Sequence, residues 1–306
     1  MPELPEVEIT ARLLTRALES TRVQYARAPG INALKTFDPP LSALEGQRIT
    51  GVRRRGKHLI VDVGLDRDID GSASAESGDR ADGVDQISLV LLIHLMSAGR
   101  LQLYDKPAGP RDRTSRLLVG VKDGRELRLR EFGSKQAAWV KLLRADELEH
   151  DNSLDTLGPE AWPDPGDTAR LKALLDAPRP LHTLLRDQHV IAGIGRSWVD
   201  EILWQAKLSP YKRGADLDED EAGQLRAAVM ETLGGAIAHY EQAIELPIPD
   251  KLPLPLQVHR HQGEPCPRCG TTLEAVHFED YVIAYCPTCQ TDGKVLKDRR
   301  LSRLLR

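Results

Sequence analysis

The chain has 306 residues, 41% hydrophobic and 29% charged, with a formal net charge of −4. That is the composition of an ordinary globular protein long enough for two cores. No apolar run approaches the roughly 20 residues that would span a bilayer, and the acidic N-terminus lacks a signal-peptide core. A membrane partner is therefore not expected, and the expected location is the cytoplasm. The negative balance argues against a nucleic-acid partner until the charge is mapped. Arg53, Arg54, Arg55 and Lys57 form one basic cluster and Arg111, Arg113 and Arg116 another, and Lys297–Arg306 carries five basic residues against one acidic. Acid gathers in Asp66–Asp85 and Asp216–Glu221.

In chain order, the first stretch is Met1-Pro2-Glu3-Leu4-Pro5-Glu6-Val7-Glu8. A methionine before proline is normally removed, which leaves Pro2 as a secondary amine with a pKa near about 8. Such an amine is a nucleophile near neutral pH and forms a Schiff base with a sugar aldehyde carbon. Glu3 and Glu6 beside it have the chemistry to move protons. Pro5, Glu6 and Glu8 also suit the first turn of a helix, where they complement its dipole. Both readings can hold, since a helix can keep the amine still. Val7, Ala11, Leu14 and Leu18 recur at helical spacing and predict a helix over about Pro5–Glu19. Ile49–Val63 reads as a hairpin turning at Gly56-Lys57, where a lysine is ordinarily solvated. Asp66–Gln86 is low in complexity, without an aromatic residue, and is expected to be a disordered acidic loop. Ile87–Leu95, Arg116–Val121, Glu126–Arg130 and Ala137–Leu142 are strand-sized. One helix and roughly eight strands predict a β-sandwich.

Gly158-Pro159, Trp162-Pro163 and Asp164-Pro165-Gly166 are strong breakers and place an interdomain linker. The second half turns helical. Leu181–Arg186 and Ser197–Lys207 flank a turn containing Gly193-Ile194-Gly195, either a helix–two-turn–helix element or a plain αα-hairpin. A helix N-terminus after glycines is a natural phosphate site. Leu225, Val229, Leu233 and Ile237 continue a long helix to about Leu246, and Pro247, Pro249, Pro253 and Pro255 end it and make a stiff connector. Cys266-x2-Cys269 and, sixteen residues on, Cys286-x2-Cys289 have the spacing of a tetrahedral zinc site. All four ligands come from protein, so one structural Zn2+ is expected, organising a small hairpin that lacks its own core. The fold class is α+β in two domains, and the boundaries read as 1–145 (sandwich, with 66–86 the insertion), 146–167 (linker), 168–255 (helix–two-turn–helix), 256–292 (zinc finger) and 293–306 (basic tail).

MPELPEVE resembles the N-terminus of the formamidopyrimidine-DNA glycosylase / endonuclease VIII family of DNA-repair enzymes. The likeness continues in order through Gly56-Lys57, His94-Leu95-Met96-Ser97-Ala98-Gly99-Arg100-Leu101, Arg130-Glu131-Phe132-Gly133, DQHVIAGIGRSWVDEILWQAKLSP and the four cysteines. It implies a monomeric DNA glycosylase with AP-lyase activity on double-stranded DNA carrying a damaged base or abasic site. Pro2 would attack C1′ of a flipped nucleotide, with Glu3 protonating the sugar oxygen, Glu6 assisting, and Lys57 on phosphate at the lesion. It further implies DNA contacts for His94, Met96, Arg130, Phe132, Arg196 and Tyr281, Phe132 acting as a wedge in the base stack.

Four positions depart from the family pattern. Ser97 stands where the family has methionine, with Met96 its neighbour. Glu131 replaces a phosphate-binding arginine, and a carboxylate there would repel the backbone. Arg196 replaces asparagine, and Tyr281 replaces the arginine five residues before the third cysteine. These changes predict a shifted register of the flipped nucleotide and a lesion other than 8-oxoguanine. Two alternatives stand beside this reading. One is a weakly catalytic or non-catalytic paralogue that binds damaged or abasic DNA. The other is an RNA-binding zinc-finger protein, which leaves the N-terminus unexplained.

Overall fold

The computed structural model describes residues 2–30, 32–64, 87–109, 112–132, 136–278 and 281–296. The expected acidic loop and the basic tail from Lys297 lie outside them. Proline in the first turn opens α1 (Leu4–Leu18), whose missing N–H would be unpaired there in any case. Eight strands follow: β1 (Val23–Arg27), β2 (Arg48–Arg55), β3 (His58–Gly64), β4 (Ile87–His94), β5 (Gly99–Tyr104), β6 (Ser115–Val121), β7 (Glu126–Glu131) and β8 (Trp139–Arg144). They form two antiparallel sheets, β1-β6-β7-β5 and β2-β3-β4-β8. The inward side chains of both, among them Leu59, Val61, Leu91, Leu117 and Leu129, make one core, as a sandwich requires.

The second half contains α2 (Thr168–Leu175), α3 (Leu181–Leu184), α4 (Arg196–Gln205) and α5 (Glu219–Ala243), then the hairpin β9 (Glu274–His277) and β10 (Val282–Tyr285) and the short α6 (Pro287–Thr291). Asp218 caps α5, its carboxylate accepting from Glu221 N while Glu221 returns the bond to Asp218 N; such a box satisfies two unpaired donors at once. None of the helices among the described residues is long and apolar enough to cross a membrane. The α2 helix was not expected: only Leu171 and Leu175 face its core, too few to make a period.

The sequence period of α1 hides a second stripe. Val7, Ala11, Leu14 and Leu18 sit in the sandwich core, whereas Leu4 and Ile9 belong to the helical core with Leu184, Ile194, Trp198 and Leu233. A single helix thus serves as a wall of both cores. Two acids at the centre of α4 fix the zinc-finger hairpin. Asp200 accepts from Ala284 N and faces His259 Nδ1 at 2.7 Å, and Glu201 accepts from the backbone N–H groups of Gln257, Val258 and His259.

Candidate active site

Pro2 is buried at the point where the start of α1 meets the start of α4. Glu3, 2% exposed, carries its carboxylate across to that second helix. Its two oxygens accept from Ser197 N at 3.0 Å and Trp198 N at 3.3 Å. These are unpaired first-turn donors, and the helix dipole favours a negative charge there. The fit depends on two glycines. A Cβ on Gly195 would lie 2.2 Å from Glu3 Cδ, and one on Gly193 would lie 2.4 Å from Leu4 Cδ1. Gly193 also has φ of +106°, while its carbonyl accepts from Leu4 N.

Glu6 lies one turn along α1 and is 5% exposed. It accepts from Glu3 N at 2.8 Å, from Tyr240 Oη at 2.8 Å and from Trp198 Nε1 at 3.1 Å. Burial, reinforced by the neighbouring Glu3 charge, raises its pKa to about 7 despite those donors. The two carboxyl groups are therefore unlike: one meets a helix N-terminus, the other is poised to hold or release a proton near neutrality. Beside Pro2 and Glu6 opens a cavity of about 280 Å³. Ile248, Leu252, Leu254 and Leu256 supply its apolar wall, and Arg100 and Arg260 also line it.

Lys57 is not solvated at its hairpin tip. It is 8% exposed, and burial lowers its pKa, with Glu3 opposing and Arg186 adding to the effect. The tip is clipped inward. Buried Arg54 bonds Glu8 Oε2 at 2.9 Å and pairs with Glu160; Arg55 bonds Glu160 Oε1 at 2.9 Å; Gly56 N donates to the same oxygen. Arg53 pairs with Asp62. The three arginines of the basic cluster read from the sequence are all engaged in ion pairs within the fold.

His94 ends β4 with Nδ1 accepting from Met96 N at 3.0 Å. Burial and the Lys57 charge lower its pKa to about 4, so a neutral ring holds its one proton on Nε2. Its ring stacks on Trp139 at 5.7 Å and meets His58 edge-on at 4.6 Å. Met96 turns the chain with φ of +50°, half-buried, while Ser97 is exposed. Arg130 bonds Thr114 Oγ1 and Tyr104 Oη and lies 4.6 Å from the Phe132 ring.

Glu131 corrects the sequence reading. It is 1% exposed and turned inward, accepting from Ala137 N at 2.8 Å and Ala138 N at 3.0 Å. A carboxylate so placed closes its own loop and repels nothing outside. Arg196 is the first residue of α4, exposed, with its guanidinium 5.1 Å from the Tyr281 ring. Tyr281 stacks on Phe278 at 4.5 Å and 4°. Trp198, Tyr240 and Arg186, none singled out from the sequence as site residues, complete the setting. The two aromatics sat at helical apolar positions and gave no sign of facing a carboxylate.

The four cysteine Sγ atoms lie within 4.8 Å of one another, a span that one tetrahedral zinc with Zn–S bonds of about 2.3 Å draws together. Trp204 Nε1 points at Cys266 Sγ and Cys289 N at Cys286 Sγ, both at 3.4 Å, donors suited to thiolate acceptors. The site is a single structural zinc centre.

Three family models match the chain in order: the formamidopyrimidine-DNA glycosylase N-terminal domain over residues 1–134, the helix–two-turn–helix domain of the same enzymes over 157–247, and a zinc finger found in them and in isoleucyl-tRNA synthetase over 263–291. The formamidopyrimidine-DNA glycosylase of Moorella thermoacetica is 32% identical over 287 residues, covering 90% of this chain and 94% of that one. Among solved structures, the Lactococcus lactis enzyme in complex with DNA containing N7-benzyl-Fapy-dG superposes with a TM-score of 0.78 at 25% identity, covering 95% of this chain and 100% of that one. The same enzyme with DNA containing an abasic site gives 0.77 at 25% identity, over 94% and 99% of the two chains.

Proposed function

The chain belongs to the formamidopyrimidine-DNA glycosylase family, and on that footing we propose that this DNA-repair glycosylase works through a Schiff base at Pro2 and cuts the strand as an AP lyase. Its substrate is double-stranded DNA with a damaged base or an abasic site. The single observation that carries the reading is the pairing of Pro2 with a carboxylate held on the N-terminus of α4, next to a second carboxyl group whose pKa is about 7.

After removal of Met1, the Pro2 nitrogen attacks C1′ of the flipped nucleotide, and the bond from C1′ to the damaged base breaks as the base leaves with a proton. Glu3 protonates the ring oxygen, which opens the sugar and yields an iminium ion. That ion is an electron sink. Loss of a C2′ proton then expels the 3′ phosphate by β-elimination, and a further δ-elimination releases the sugar from the 5′ phosphate. Water finally hydrolyses the iminium and frees Pro2. The pKa of Glu6 suits it to pass protons to and from Glu3 and the amine. Lys57, neutral His94 through Nε2–H, Met96, Arg130, Phe132, Arg196 and Tyr281 are the groups we assign to the DNA. Arg130 stacks over Phe132, which supports a wedge and a cation that move together. The aliphatic wall beside Pro2 supports a lesion held by packing more than by hydrogen bonds, such as an oxidised pyrimidine or a bulky adduct, in preference to 8-oxoguanine.

Borohydride trapping tests the chemistry. Purified protein reduced in the presence of an abasic duplex is expected to form a covalent adduct, and Pro2→Gly to weaken or relocate it. Tight binding with no adduct would overturn the lyase assignment and favour a damage-binding paralogue.

A further inference from the structure

Arg186 belongs to no motif, yet three elements converge on it. It follows α3, and its guanidinium lies 4.4 Å from the ring of Tyr281, which comes from the zinc-finger hairpin. That ring is held from its own hairpin by Phe278, parallel at 4.5 Å, and stacks at 6.0 Å on His182 of α3. Arg196 of α4 approaches the same ring. The Nη1 of Arg186 is shielded from solvent and has no acceptor among the described residues. A buried guanidinium donor left without an acceptor is destabilising unless a ligand supplies one. The hairpin lysine lies within the same positive field: Arg186 and Arg196 both oppose its protonation, and Glu3 is the largest influence holding it charged.

We propose that Arg186, braced on the Tyr281 ring and acting with Lys57, is the seat for one phosphodiester of the substrate strand next to Pro2. A flat cation with an unsatisfied N–H calls for a hard oxyanion that accepts more than one donor, and phosphodiester is the class of anion that DNA presents at every residue. Tyr281 itself offers no charge. Its ring carries the guanidinium that the opposite element delivers, so the hairpin positions a cation it does not contain. The inference rests on the reading of the chain as a DNA-repair glycosylase.

The test is a chemical double-mutant cycle. A duplex with an uncleavable abasic-site analogue is made with one neutral methylphosphonate at each linkage flanking the lesion, and affinities are measured by fluorescence anisotropy. For the wild-type holoprotein, neutralising one particular linkage is expected to weaken binding roughly tenfold to a hundredfold, the range of one charge-assisted hydrogen bond. Arg186→Met should lose about as much on the unmodified duplex and be indifferent to that linkage, with the slope of log affinity against log salt shallower by about one. Arg186→Lys should recover part of the slope. Tyr281→Leu, which removes the brace and keeps the arginine, should blunt the response to the same linkage. Melting curves and zinc content matched to wild type show that each variant is folded. If Arg186→Met and Tyr281→Leu lose affinity at every linkage just as wild type does, the losses add and the seat lies elsewhere. If wild type neither prefers the abasic duplex to undamaged DNA nor forms a borohydride adduct, it is the repair reading that falls, and this proposal with it.

Discussion

Gly195→Ala isolates what the Glu3 carboxylate, the acid of the proposed mechanism, requires. The backbone at Gly195 is extended, with φ of −127° and ψ of −157°, so alanine fits the main chain. What it lacks is room, because its Cβ would sit 2.2 Å from Glu3 Cδ. The carboxylate must retreat by about 1 Å, and a misplacement of that size near the chemistry costs about a hundredfold in rate. It also stretches the bonds from Ser197 N and Trp198 N beyond hydrogen-bond range; each such bond to a charged group is worth about 1.5–3 kcal/mol. The assay is single-turnover base excision and adduct trapping on abasic duplex, with affinity measured in parallel. The expected outcome is a rate lowered about a hundredfold, with affinity changed far less. Combining Gly195→Ala with Glu3→Gln should cost little more than Glu3→Gln alone, since both act through one carboxylate. A variant that excises within threefold of wild type, or a double variant whose losses multiply, would refute the idea that Gly195 is there for Glu3.

The same geometry sets four further outcomes. The Glu6 pKa is raised in the fold, so its protonated form stabilises the native state; this contribution is complete below pH 4.5 and is lost as pH rises to about 7. The linkage amounts to about 3 kcal/mol, and denaturant midpoints of wild type against Glu6→Gln across that window should show wild type declining relative to the variant. Tyr240→Phe removes a donor to the carboxylate and should push the Glu6 midpoint higher, read by carboxyl carbon resonances. Glu160→Ala leaves Glu8 as the only carboxylate partner of Arg54 among the described residues; since Arg54 keeps one charge partner, the loss is that of charge-assisted hydrogen bonds, about 1.5–3 kcal/mol, and urea unfolding should show a loss of that order together with weaker DNA binding as the Lys57 tip loosens. Zinc chelation should remove one metal per chain and abolish DNA binding while strand circular dichroism of the sandwich persists; retention of binding in the chelated protein would contradict a structural role for the finger.

The sequence carried the parts of this architecture that depend on local period. Alternation gave the strands, and the spacing of Val7, Ala11, Leu14 and Leu18 gave α1. It was silent where a side chain meets a partner far along the chain. Lys57 at a Gly-Lys turn reads as solvent-exposed because composition says nothing about Glu160 drawing the tip inward. Glu131 reads as a charge facing a ligand because its acceptor role depends on where Ala137 and Ala138 return. Arg186 passed unremarked for the same reason: the ring that braces it is Tyr281, on another element. Among the candidate site residues, Pro2, Glu3 and Glu6 were legible as groups able to do chemistry, but the inequality of the two glutamates was not, since it arises from the burial of Glu6 among residues far along the chain, reinforced by the Glu3 charge.

The double membership of α1 has a consequence for how the molecule is made. Pro2 and its glutamates leave the ribosome before α4 and α5. The N–H groups that hold Glu3 belong to Ser197 and Trp198, and the hydroxyl that reaches Glu6 belongs to Tyr240, 194 to 234 residues later. A nascent chain with only its sandwich has Leu4 and Ile9 in water and an unanchored acid. Glu3 and Glu6 are thus set by partners on α4 and α5, and a product truncated before α4 would carry the proposed nucleophile Pro2 with neither glutamate anchored.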